Sequence, residues 1–117
     1  MTSDPECIFC KIVAHQIPAS LVYEDDQMIG FRDLNPQAPV HVLLIPKEHV
    51  VNTEALEPAH DAAVGAVVRA ARAVARQEGV AESGYRLVIN TGRDANNTVD
   101  HLHLHVIGGR ALGWPPG

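Results

Sequence analysis

The segment His101-Leu102-His103-Leu104-His105-Val106-Ile107 limits the fold of this chain more than any other. Imidazole and aliphatic side chains alternate along it. A period of two belongs to an extended strand, whose side chains point to opposite faces in turn. The three histidines then share one face, and Leu102, Leu104 and Val106 share the other. At a rise of about 3.3 Å per residue the outer two histidines stand about 13 Å apart, so one metal ion cannot take all three without distorting the strand. Three readings stay open: a polar face turned to water, a His-x-His pair holding a metal, and nucleophilic or acid–base work on an anion. The last suits the residue type best. Neutral imidazole attacks phosphorus, and protonated imidazole neutralises phosphate charge and returns a proton to a leaving group. Coupling between neighbouring rings keeps all three from being charged together, so roles can be divided among them. Asn90, Thr98 and the backbone amides near Val99 supply further donors for phosphate oxygens.

The rest of the chain supplies partners for that strand. Cys7 to His15 predicts one or two helical turns, and Gln16-Ile17-Pro18-Ala19-Ser20 breaks them. Strands are expected at Leu21 to Glu24, Met28 to Leu34, Val40 to Ile45, Tyr85 to Asn90 and Val99 to Ile107. The turn Asn35-Pro36-Gln37-Ala38-Pro39 carries two prolines that set the backbone before the third strand. A long helix is expected between Pro58, suited to a first turn, and Gly79, suited to the position past the end. Val64, Val67, Val68, Ala71, Val74 and Ala75 form its apolar stripe, with Arg69, Arg72 and Arg76 off it. Five strands and one long helix with early hairpin links predict an α+β fold with a mainly antiparallel sheet. The 117 residues suit one domain, with residues 1–6 a loose N-terminal arm and 110–117 a C-terminal tail.

A formal net charge of −5 and only five aromatic residues argue against a surface that tracks phosphates and stacks bases, so no nucleic-acid partner is expected. Apolar runs such as Val42 to Ile45 are far too short to span a bilayer, and no membrane partner is expected. The acidic, polar start, Met1 to Glu6, lacks the pattern of a signal peptide, which predicts a cytoplasmic protein. There, Cys7 and Cys10 read as a metal knuckle, a redox pair or core thiols.

The triad segment resembles the signature of the histidine-triad family, His-x-His-x-His followed by apolar residues. Its surroundings are similar to the purine nucleoside phosphoramidase (Hint) branch: Ile8-Phe9 with Lys11-Ile12, Ile17-Pro18-Ala19, Glu24-Asp25-Asp26, Pro36-Gln37-Ala38-Pro39, Ile45-Pro46-Lys47, Gly108-Gly109-Arg110 and Trp114-Pro115-Pro116-Gly117. The similarity runs from about Cys7 to Gly117.

That resemblance implies hydrolysis of purine nucleoside 5′-phosphoramidates. His103 attacks the α-phosphorus to form a covalent nucleotidyl-imidazole, which water then cleaves. His101, His105 and His41 complete the catalytic set, with His41 on the neighbouring strand. Asp33 anchors the ribose, Phe9, Ile12, Phe31 and Leu34 wall the base, and Asn90, Thr98 and the Val99 amide meet the phosphate beside His103 and His105. The loop Asp94-Ala95-Asn96-Asn97 departs from the Gly-Gly-Gln often found there. Some members of the family hold a structural zinc ion, which here implies Cys7, Cys10, His49 and His101 as ligands. No organic cofactor is implied. The resemblance also implies a homodimer whose sheets join across the two-fold axis, with the tail near the partner's site. Two other functions compete: a related hydrolase or transferase acting on dinucleoside polyphosphates or adenylyl sulfate, and a nucleotide-binding interaction protein with incidental hydrolysis.

Overall fold

A computed structural model describes residues 2–117. Its centre is one antiparallel sheet in the order β1-β2-β3-β5-β4, which agrees with the α+β expectation. β1 (Leu21–Glu24) turns into β2 (Met28–Arg32) through Asp25, whose carboxylate accepts the Gln27 and Met28 amides at 2.8 Å each. β3 (Val40–Pro46) follows the double-proline turn and pairs with β2 from Met28↔Pro46 to Arg32↔Val42. The chain then crosses by way of α2 (Asp61–Gln77) to β4 (Tyr85–Val88) at the sheet edge. β5 (Leu104–Gly108) inserts between β4 and β3.

β3 is buried along its whole length because both faces of the sheet are covered. Val42 and Leu44 join Leu104 and Val106 under α2. Leu43 and Ile45 join Ile29 and Phe31 under Phe9 and Ile12 of a short helix, α1 (Ile8–Val13). β3 alternation places His41 on the α1 side, and the register Leu43↔His105 places His105 there too. Alternation therefore puts the reactive rings on one face and the aliphatic ones on the other, as the sequence predicts.

Several boundaries differ from expectation. α2 begins at Asp61, after a separate 3₁₀ turn Pro58–His60. Its buried stripe is Val67, Ala70, Ala71, Val74 and Ala75, a full set of i, i+3, i+4, i+7 and i+8 positions. Val68, one residue on, is rotated about 100° out of that stripe and is exposed. The second and fourth strands stop at Arg32 and Val88, two residues earlier than expected. The last strand begins at Leu104 rather than Val99. Its pairing with β3 ends at Leu44↔Leu104, close to Pro46, which has no N–H to offer a ladder. The Leu102 amide instead donates to the Val50 carbonyl at 2.6 Å. His103 thus lies just before the strand and His101 at a bend, which lets the His101 ring turn aside. Near the N-terminus the Thr2 carbonyl accepts the His49 amide at 2.8 Å, and the Asp4 carbonyl accepts that of Cys7 at 3.1 Å. In the tail, the Gly113 carbonyl accepts from Arg86 at 2.7 Å, while Trp114 is exposed.

Candidate active site

Backbone groups decide which nitrogen of each key histidine is free. The fully buried His101 donates from Nε2 to the Pro46 carbonyl at 2.8 Å, so its Nδ1 carries the lone pair. His103 donates from Nδ1 to the His101 carbonyl at 2.7 Å, leaving the lone pair on Nε2. His41 receives the Gln37 amide on Nδ1 at 3.0 Å, so its proton sits on Nε2. That proton is 2.9 Å, measured between nitrogens, from His105 Nδ1, which accepts it and leaves the His105 proton on Nε2. His105 Nε2 is buried and has no hydrogen-bond partner among the described residues. A buried N–H of this kind is a donor waiting for an acceptor such as a phosphate oxygen.

The free Nδ1 of His101 points into a second constellation. It lies 3.4 Å from Cys7 Sγ, 3.6 Å from Cys10 Sγ and 3.1 Å from His49 Nδ1. Cys10 Sγ lies 3.3 Å from His49 Nδ1, and the four ligand atoms all fall within 4.8 Å of one another. A tetrahedral zinc ion with ordinary bond lengths has edges of about 3.3 Å between nitrogens and about 3.6 Å between nitrogen and sulfur. The residues fit the ion. The Nε2–H bond to Pro46 is also the outer contact that orients a ligating imidazole. Burial pushes the Cys10 thiol up and holds His101 down at about 4, outweighing the Pro46 bond that opposes it, with His49 and His103 lowering it further. A neutral imidazole with its lone pair aimed at the cluster is what a metal requires.

Asp33, His41 and His105 also gather closely, with Asp33 Oδ2 at 3.5 Å from His41 Nε2. Here the tautomers argue against a metal. His41 Nε2 holds a proton because Nδ1 is already accepting one from Gln37, so the atom facing the cluster has no lone pair to give. The His41 Nε2–H on His105 Nδ1 links the two rings into a hydrogen-bonded relay beside Asp33.

The His105 ring is held at about 4, first by burial, then by His103 and His41, with Asp33 opposing. An unfolded histidine titrates near 6.5. Between these values the unfolded chain binds more protons, so His105 contributes stability that is complete above about pH 6.5 and is lost as pH falls towards 4. Urea unfolding across that range should show a shallower pH slope in His105→Asn than in the wild type. The difference should approach one proton, at most about 1.4 kcal/mol per pH unit. Equal slopes in the two proteins would mean that the ring titrates normally.

Of the other expected site residues, Phe9 packs edge-on against His103 at 5.2 Å between centroids and against Phe31 at 5.5 Å. Ile12 belongs to the same cluster, and Val99 is half-buried against it. Asp33 receives the Asn35 amide on Oδ1 at 2.8 Å, a turn-capping contact that leaves Oδ2 towards His41. Leu34 stands apart, fully exposed, and in this chain alone it forms no wall with Phe9 and Phe31. Asn90 is half-buried and Thr98 exposed, at the two ends of the loop before the triad. The His101 ring faces the cysteine cluster. Both of its nitrogens are engaged away from the relay, and it serves His103 through its backbone carbonyl. Sequence reasoning missed the carbonyls of Pro46 and His101 and the amide of Gln37. No side-chain pattern marks them, because they act through groups that every residue carries.

The HIT domain model matches residues 14–112. The chain is 44% identical over 108 residues to the purine nucleoside phosphoramidase of Escherichia coli K12, covering 92% of this chain and 91% of that one. It is 46% identical to the Arabidopsis thaliana protein named adenylylsulfatase HINT1, covering 98% of this chain and 79% of that one. It is 45% identical to a 14 kDa zinc-binding protein of Zea mays, covering 97% and 90%. The crystal structure of a HIT family hydrolase from Legionella pneumophila superposes with a TM-score of 0.94 at 42% identity, over 96% of this chain and all of that one. Both the sequence match across nearly the whole chain and the shared sheet bearing the histidine segment lead to one conclusion: this protein belongs to the HIT domain family.

Proposed function

We propose that this protein hydrolyses purine nucleoside 5′-phosphoramidates through a covalent nucleotidyl intermediate on His103. The observation that carries the reading is the 2.7 Å bond from His103 Nδ1 to the His101 carbonyl. In the neutral ring it places the lone pair on Nε2, the form a phosphorus nucleophile needs. Nε2 forms a bond to the α-phosphorus, the bond from phosphorus to the leaving nitrogen breaks, and that nitrogen departs as an amine carrying a proton taken from solvent. Water then attacks phosphorus and gives up a proton to solvent, the bond to Nε2 breaks, and His103 returns to its starting form. The His105 Nε2–H, fed through His41, donates to the phosphate and balances charge as it develops.

Asp33 keeps acceptor capacity for ribose hydroxyls beside its turn contact. Phe9, Ile12 and Phe31 offer apolar surface for a purine, with Leu34 free to join once a base is bound. Asn90, Thr98 and the Val99 amide are assigned to the phosphate. Cys7, Cys10, His49 and His101 would hold a structural zinc ion, which would tie the N-terminal segment to the triad lead-in. Reduced thiols at Cys7 and Cys10 suit the cytoplasm. A homodimer is part of the same reading and rests on the family resemblance set out above. A monomeric mass at micromolar concentration would count against it.

The resemblance to the Arabidopsis protein named as an adenylylsulfatase favours adenylyl sulfate as a second substrate class. The deciding experiment compares rates on an adenosine phosphoramidate, adenylyl sulfate and a diadenosine polyphosphate, with acid-quench trapping of the adduct on His103. Fastest turnover of the phosphoramidate, with label on His103, is the expected result. Faster turnover of either competitor would reassign the substrate, and no label would remove the covalent route.

A further inference from the structure

The Gly108-Gly109-Arg110 stretch takes no part in the chemistry above, yet it grips the turn from which the relay begins. Arg110 Nε donates to the Gln37 carbonyl at 3.1 Å, and its Nη1 donates to the Ala111 carbonyl at 3.0 Å. Gly109 has φ +92°, and a Cβ there would sit 3.0 Å from Cβ of Pro39. The chain leaving β5 is therefore folded tightly onto residues 36–39, and a side chain at position 109 would push it away.

Gln37 is the residue that matters in this turn. Its amide sets the tautomer of His41. The Pro36 ring fixes the backbone on one side of it. The Gln37 side chain is occupied elsewhere, donating to the Asn35 carbonyl at 2.9 Å. On the other side, the Gln37 carbonyl is held by Arg110.

We propose that Arg110 is a positioning residue for catalysis: by gripping the Gln37 carbonyl it keeps the Gln37 amide on His41 Nδ1 and so keeps the His105 proton on Nε2, facing the phosphate. This rests on the hydrolase reading above. Without the grip, the Gln37 amide swings off and the His41 proton moves to Nδ1. His41 Nε2 then becomes an acceptor, and the short contact with His105 survives only if His105 places its proton on Nδ1. Each ring still carries one proton, but His105 now shows the phosphate a lone pair where it had shown an N–H.

The test uses full-length protein with 15N-labelled histidine, as wild type, Arg110→Ala and Arg110→Lys. Long-range proton–nitrogen spectra read the tautomers of His41 and His105 without reference to activity, and phosphoramidate kinetics are measured in parallel. In the wild type both rings should be Nε2–H. In Arg110→Ala both should shift towards Nδ1–H, with kcat down about tenfold and KM changed less than kcat. Arg110→Lys can reach one carbonyl but not two, and should recover to within about threefold of the wild type. Unchanged tautomers in Arg110→Ala overturn the proposal whatever the rate does, as does a shifted tautomer with an unchanged kcat. If the wild type turns over no phosphoramidate, the hydrolase reading fails, and the spectra alone decide the role of Arg110.

Discussion

His103→Ala is expected to lower phosphoramidate hydrolysis by at least about 100-fold while leaving adenosine monophosphate binding measurable. The reasoning is local. The His103 Nε2 lone pair is exposed to the site by the bond that ties Nδ1 to the His101 carbonyl. No neighbour can replace it: His101 has both nitrogens engaged, and His105 presents a proton rather than a lone pair. Without a nucleophile the two-step route closes, and only direct attack by water remains. Binding should persist, because Asp33, Phe31 and the relay donor are untouched. Removing the ring opens space against Phe9, so thermal unfolding should be run alongside to confirm a folded variant. Activity above about one per cent of the wild type in a folded variant would remove His103 as the nucleophile.

Removing the metal is the second large effect. Protein purified without added metal or chelator should contain one zinc ion per chain, and Cys10→Ser should lose it. The cluster is closed over by the core: Cys10 and His101 are buried, and His49 is half-buried. Two imidazoles converge with two sulfurs at 3.1–3.6 Å, and a cation would replace weak thiol hydrogen bonds to the His101 Nδ1 lone pair with metal bonds. Loss of a structural metal ranks among the large destabilising changes. An effect of about 3 kcal/mol in a domain of this size lowers the unfolding midpoint by about 10 °C. The same change should also slow hydrolysis, because the ring anchored in the cluster belongs to the residue whose carbonyl holds His103. A metal-free sample with the wild-type midpoint and rate would end the idea of a structural ion.

The parts of the site that were legible in the sequence share one property: they follow from side-chain type at fixed spacing. The His-x-His-x-His alternation separated reactive from aliphatic faces correctly, because a strand has two sides wherever it lies. The spacing of Cys7 and Cys10, with the resemblance to zinc-holding relatives, pointed to His49 and His101, and all four now converge. The illegible parts depend on where the backbone goes. The sequence pattern alone would continue the last strand back to Val99. Pro46 ends the ladder, Val50 captures the Leu102 amide, and His101 is left to turn into the Cys cluster. A pattern of period two cannot announce where a strand loses its partner. The stripe on α2 slipped for a similar reason, since alanine at position 70 is uninformative until the sheet lies against it.

Residue types and their spacing were enough to place the histidines on a strand and to show that cysteine and histidine donors exist in number and kind for a tetrahedral metal. The proton positions follow from the fold instead. These depend on which backbone carbonyl or amide meets each ring, through contacts across 2 to 55 residues of chain, and such contacts are set by packing geometry rather than by residue type.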